Sequence, residues 1–284
     1  MFAGKFAGGF DRLQNILYIP IMITLLDHIN IPNPLAKAAG FRFGEKGTHT
    51  SRTMMLAELT ELLAAVPANA TREEYAEAII KDNILGKQTT STRRLTNQRL
   101  GELYGLSLTL PLFRVLRRLW DIDKPGRPLI ALLCAVARDP LLRATSNAVL
   151  PMPIGSELLR SAMTSAIRES VGERLNDSIL DKVARNAGSS WAQSGHLEGR
   201  VRKIRQEVRP TPGAAAFAMW FGSLYGLAGE SLLRGPWARM LDQSPVELLD
   251  LTLRAKQLGL LNANSGGGVI EIDVTPLESA QGVF

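Results

Sequence analysis

A single cysteine, Cys134, occurs in the 284 residues. No disulfide framework can form within the chain, and a reducing, cytoplasmic setting is expected. The thiol lies in the apolar run LIALLCAVA, where cysteine serves as a small buried hydrophobe. Histidine is scarce too. His28, His49 and His196 are the three present, with no pair at metal-ligand spacing, so no metal centre is expected. No glycine–lysine phosphate loop, dinucleotide fingerprint or kinase signature occurs. Gly266, Gly267 and Gly268 follow a predicted helix and precede a predicted strand, the wrong order for cradling phosphate. Ser189, Ser190, Ser194 and His196 are close in sequence, yet no glycine-framed nucleophile elbow holds them. Asp121 and Asp123 fall in the linker-like DIDKPGRP and read as solvated. These absences predict a chain that is not an enzyme and carries no cofactor.

Long apolar runs are missing as well. Ile16–Leu26 spans 11 residues, whereas a membrane helix needs roughly 20. Stable membrane insertion is therefore not expected. A secretory signal is disfavoured because Asp11 precedes the run, Asp27 and His28 follow it, and the small-residue site Ala36-Lys37-Ala38 lies too far downstream. A core strand, an interfacial segment or a true start nearer 43–50 fits the arm better.

What is abundant is clustered positive charge. Lysine and arginine total 33 against 27 acidic residues, a net +6. The window 87–127 alone carries nine basic and three acidic residues, and 185–209 carries six and two. Together they exceed the whole-chain surplus, so the remainder is slightly acidic. Charge concentrated in this way focuses potential towards a polyanion.

The strongest pattern is 176–209. Asn176 or Asp177 is placed to cap a helix, and Ile179, Leu180, Val183, Ala187 and Trp191 recur on one stripe. The opposite face presents Lys182, Arg185, Asn186, Ser189 and Gln193, able to meet phosphates and base edges. Gly195 ends the helix, and 197–208 reads as a hairpin carrying Arg200, Arg202, Lys203 and Arg205, with Arg209 just beyond. A helix followed at once by a basic ribbon is what a winged-helix reader of double-stranded DNA requires. A second candidate surface lies earlier. Helices are predicted over 51–66, from Thr71, and over 89–106, the last with Thr90, Arg93, Arg94 and Asn97 on its outer face, close after Lys87. That is a helix-turn-helix pattern. Arg114, Arg117 and Arg118 are expected on the wet side of a helix over 112–120.

Further helices are predicted over 129–136, from Asp139-Pro140, over 155–168, over 214–233 and from Ser244-Pro245 to Leu258, with a turn at 262–268 and an edge strand at 269–274. The expected fold is mainly α, with tandem winged-helix or helix-turn-helix domains and short β wings. Four segments are predicted: an N-terminal arm (1–45), a helix-turn-helix-like domain (46–128), a winged-helix domain (129–212) and a C-terminal helical domain with a β hairpin (213–284).

The pieces GTHTSR (Gly47–Arg52), DNILGKQTTSTRR (Asp82–Arg94), ARDPLLRAT (Ala137–Thr145) and SSWAQSGHLEGRVRK (Ser189–Lys203) resemble the BrxA family of the BREX phage-defence systems. The resemblance runs from about Gly47 to the C-terminus and rests on pattern and arrangement. It implies tandem winged helices, DNA binding without catalysis, and work beside a methyltransferase and an ATPase. From a different class, a scaffold whose basic faces meet acidic protein partners would use the same charges. A hydrolase or nuclease without a recognisable signature is the third reading.

Overall fold

The structure is a computed structural model, and it describes residues 29, 31–44 and 46–279. The run Ile16–Leu26, for which a strand or interfacial segment was expected, lies outside the described residues. Of the described residues, 59% are helical and 6% are in strands, so helix packs on helix and two small hairpins are additions. Among the described residues no helix is long and apolar enough to cross a membrane.

In order, α1 (Pro34–Ala39) is followed by α2 (Leu56–Ala65), α3 (Arg72–Ile80), α4 (Thr90–Tyr104), α5 (Pro111–Ile122) and α6 (Arg127–Arg138). Two short helices, α7 (Pro140–Ala144) and α8 (Ser146–Val149), lead to α9 (Arg160–Val171) and α10 (Asp177–Gln193). The first hairpin pairs β1 (Leu197–Glu198) with β2 (Ile204–Arg205). Next come α11 (Pro212–Ser223), α12 (Glu230–Arg234), α13 (Pro236–Arg239) and α14 (Pro245–Gln257). The second hairpin, β3 (Asn262–Gly266) and β4 (Val269–Asp273), precedes α15 (Thr275–Glu278).

Local chemistry sets most boundaries. Thr71 and Glu74 form a reciprocal capping box at the start of α3, and Ser244 and Glu247 do the same for α14; each satisfies donors that the first turn leaves free. Asn176 caps α10 by accepting from the Ile179 N–H. Two helices are buried on every side, α6 from Leu129 to Arg138 and α11 from Gly213 to Gly222. Such helices belong at the centre of a packed domain, and α4, α5 and α11 all lie against α6. Buried side chains from Ile29 to Leu277 form one continuous cluster. Phe41, from the N-terminal segment, enters it edge-on to Phe221 and Trp237, at 5.0 and 5.5 Å between ring centres.

Several sequence-based expectations change. The buried stripe of α10 is Leu180, Val183, Ala184, Ala187 and Trp191, while Ile179 is exposed. One residue is a rotation of about 100°, and the packed face begins at Leu180. Arg117 is buried, not wet: it donates to the carbonyls of Leu63 and Val66, which the end of α2 leaves open, and pairs with Asp121. Residues 262–266, expected as a turn, are strand β3. The apolar stretch 214–233 is two helices, broken where Gly226 and Gly229 adopt positive φ. Residues 156–159 precede α9 outside any helix, where Glu157 pairs with Ile204 of β2.

Trp191 is fully buried on α10, its indole N–H donating to Thr145 Oγ1 at the junction of α7 and α8, at 2.8 Å. Trp191→Ala is expected to cost about 3 to 5 kcal/mol, read as a lower urea midpoint with the transition slope unchanged. An unchanged midpoint would remove this side chain from the core.

Candidate nucleic-acid interface

Gly195, at φ +91°, turns the chain out of α10. Leu197 and Val208 are buried, which anchors both arms of the hairpin. The register pairs Leu197 with Arg205 and Glu198 with Ile204. Gly199 is required at the turn: φ is +103°, and a Cβ there would lie 2.0 Å from the Arg202 carbonyl oxygen. The outer edge of β2 is paired as well. Gly155 N–H donates to Arg205 O, Arg205 N–H to Ser156 O and Leu158 N–H to Lys203 O, at 2.8 to 2.9 Å. The basic ribbon is thus braced on both sides by backbone hydrogen bonds.

Between this ribbon, the start of α9 and the outer face of α10 lies an open cleft of about 420 Å³. Arg160, Arg185, Arg200 and Lys203 line it, together with Ser189 and the bare backbone of Gly188. Leu158, Met163, Ala184 and Val201 supply its apolar surface, and no carboxylate is among the lining residues. Arg185, Arg200 and Lys182 are exposed and make no hydrogen bond or ion pair among the described residues. The stem of Lys203 crosses Gly188, and partial burial lowers its ammonium pKa. Arg160 pairs with Asp181. Arg202 is bound to Glu157, which raises the pKa of the first and lowers that of the second. Chemically this face offers convergent, largely uncommitted cations to an anion.

Three side chains expected on the face point elsewhere. Arg205 is 1% exposed and grips Asp242 with both terminal nitrogens, at 2.5 and 2.8 Å, while its Nε donates to Val149 O. It cannot reach a phosphate. Its position in the strand register turns it inward, opposite Leu197. Asn186 donates to His49 O, and Gln193 donates to Thr53 Oγ1 while accepting from the Leu56 N–H. Both amides hold the segment 49–56 against α10.

The earlier surface is similarly committed. Lys87 pairs with Glu58 at 3.1 Å, Arg93 donates to the carbonyls of Lys87 and Ile80, and Asn97 accepts from Arg72. Thr90 and Arg94 remain exposed, and Arg94 has no partner among the described residues.

A network without a sequence signature lies on the buried side of α10. Asp139 Oδ2 accepts from His49 Nδ1 at 2.8 Å, and His49 Nε2 lies 2.8 Å from Ser190 Oγ. Burial opposes ionisation of Asp139, but His49 and the backbone N–H donors together hold its carboxyl below the usual range. The order Asp–His–Ser resembles a nucleophile triad. All three side chains are sealed from solvent, however, and Ser190 Oγ also accepts from the Met54 N–H. Its geometry ties segments together. Polar positions at 49, 139 and 190 were the available signal, far too separated to be linked by spacing. Ser194 and His196 are also buried, with Nδ1 2.8 Å from Ser194 Oγ and Nε2 2.9 Å from the Met240 carbonyl.

No protein-family model and no curated protein matches the chain.

Burial depresses the His196 pKa from 6.5 to about 4. The folded state therefore refuses a proton that the unfolded state accepts. Stability is full above pH 6.5 and falls as pH drops towards 4, by an amount on the order of 3 kcal/mol. In urea titrations between pH 7 and 4, His196→Asn is expected to flatten that fall. An equal fall in the variant would assign it to other groups.

Proposed function

We propose that the chain is a non-catalytic, cytoplasmic protein that binds double-stranded DNA, with the outer face of α10 presented to a groove and the β1–β2 ribbon laid along the neighbouring backbone. The observation that carries this reading is the convergence of Arg185, Arg200 and Lys203 on one open cleft, extended by the free Lys182. The order of elements supports it: a strand-like segment, two helices, then a hairpin whose second strand pairs back to that first segment. Read as a winged helix, this order leaves the second helix bare on its outer side. Thr90 and Arg94 form a lesser second contact. In the setting that the BrxA resemblance implies, the protein positions DNA for partner machinery, a methyltransferase and an ATPase.

An adaptor for acidic protein partners is the second reading. Its support is the exposed apolar pair beside the cations, Val201 at 92% and Leu159 at 64%.

Each neutralised phosphate releases condensed counterion, so log affinity falls with log salt by about 0.9 per contact. Replacing Arg185, Arg200 and Lys203 together by alanine is expected to weaken binding to all duplexes and to flatten the salt slope by roughly two to three. Mobility shifts over a salt series measure both quantities. Wild-type affinity and slope in the triple variant, or absence of duplex binding by the wild type, would leave the adaptor reading standing.

A further inference from the structure

The cleft has a composition that contact with a duplex backbone alone does not require. Its charged side chains are all cationic, yet Leu158 and Val201 give it an apolar surface suited to a flat, uncharged body. A volume of about 420 Å³ is that of a small-molecule cleft, for which roughly 300 to 1,000 Å³ is usual. A duplex phosphate would fill only its mouth. Gly188 keeps the α10 wall bare, since a Cβ there would meet only the Lys203 stem, at 3.4 Å. Ser189 Oγ, beside it, has no hydrogen-bond partner among the described residues and is free to meet a polar edge.

We propose that this cleft receives one unpaired nucleotide of a DNA strand, with its phosphate among Arg185, Arg200 and Lys203 and its base against Leu158 and Val201. The proposal rests on the DNA-binding reading of the same face. Guanidinium forks match phosphate oxygens in pairs, and a base enters such a pocket at least cost when it is already unpaired. Lys182, three residues before Arg185 on the same helix face, carries the positive charge out of the cleft towards the next phosphate. An acidic peptide would match the charge but not the backbone requirement. Strand β2, which borders the cleft, is already paired to β1 on one side and to 155–158 on the other. It offers a peptide no open edge.

Three labelled duplexes test this by fluorescence anisotropy at fixed salt: an intact one, one with a single extrahelical nucleotide, and one with an abasic residue at that bulge. The wild-type protein is expected to bind the bulged duplex about tenfold more tightly than the intact one, and to lose that gain when the base is absent. Gly188→Leu, which fills the cleft without altering charge, should abolish the gain, read as the ratio of bulged to intact affinity within that variant. Val201→Ser, at an exposed position, should reduce the gain and serves as the deciding variant if Gly188→Leu lowers helicity by circular dichroism. Equal affinity for intact and bulged duplexes overturns the proposal but leaves duplex binding in place, as does an equal gain from the abasic bulge. Failure to bind any of the three removes the DNA reading itself. A labelled alternating Asp-Leu peptide that binds the wild type and not Gly188→Leu would assign the cleft to an acidic protein partner instead.

Discussion

The carboxylate of Asp139 is the point on which the arrangement of α10 depends. Its Oδ1 accepts from the N–H groups of Leu141 and Leu142 and so starts α7, while Oδ2 takes both the backbone N–H and the ring of His49. His49 passes the contact to Ser190 on α10. One buried acceptor therefore fixes the angle between α7, the segment 47–51 and α10. Removing one partner from such a pair leaves the other buried without compensation, which typically costs about 3 to 5 kcal/mol. The fit is close enough that a Cβ at Gly47 would lie 2.2 Å from Asp139 Oδ1. Asn186 and Gln193 complete the seam from the helix side.

Buried guanidinium groups perform the corresponding task for the N-terminal segment. Arg143 donates to the carbonyls of Val136, Ile29, Arg42 and Ala137, and Arg138 to those of Glu102, Gly101 and Gly40. Burial lowers both pKa values to about 10, still far above neutrality. Each is a cation solvated by backbone oxygens in place of water, several of them in the last turns of α4 and α6. Ile29, Gly40 and Arg42 are held to the core in this way, with Phe41 wedged among aromatic rings.

These interior arginines also change what the charge count means. Arg117, Arg138, Arg143 and Arg205 are all buried, and Arg93 is spent on carbonyls. The cations left exposed are a smaller set than the count suggests, and several of them surround the α10 cleft. There the free cations are close together and the nearby carboxylates, Glu157 and Asp181, are already paired. Focusing by a cleft makes such a set more effective than the same charges dispersed.

Local physics was legible in the chain itself. The capping residues Thr71, Asn176 and Ser244, the amphipathic stripe ending at Trp191, and the hairpin after Gly195 all follow from neighbours within a few residues, where hydrogen bonding and 3.6-residue periodicity act directly. The concentration of charge near 185–203 was equally visible. Periodicity orders side chains around a helix, but it does not say what lies against each face. Whether Asn186 and Gln193 meet a groove or an interior loop depended on His49 and Thr53, well over a hundred residues away in the chain. The same holds for Arg205 and Asp242, and for the pairing of 155–158 with β2 that stiffens the ribbon. Contacts between distant segments form only when the whole core closes, and that closure decided which polar residues were left for a partner.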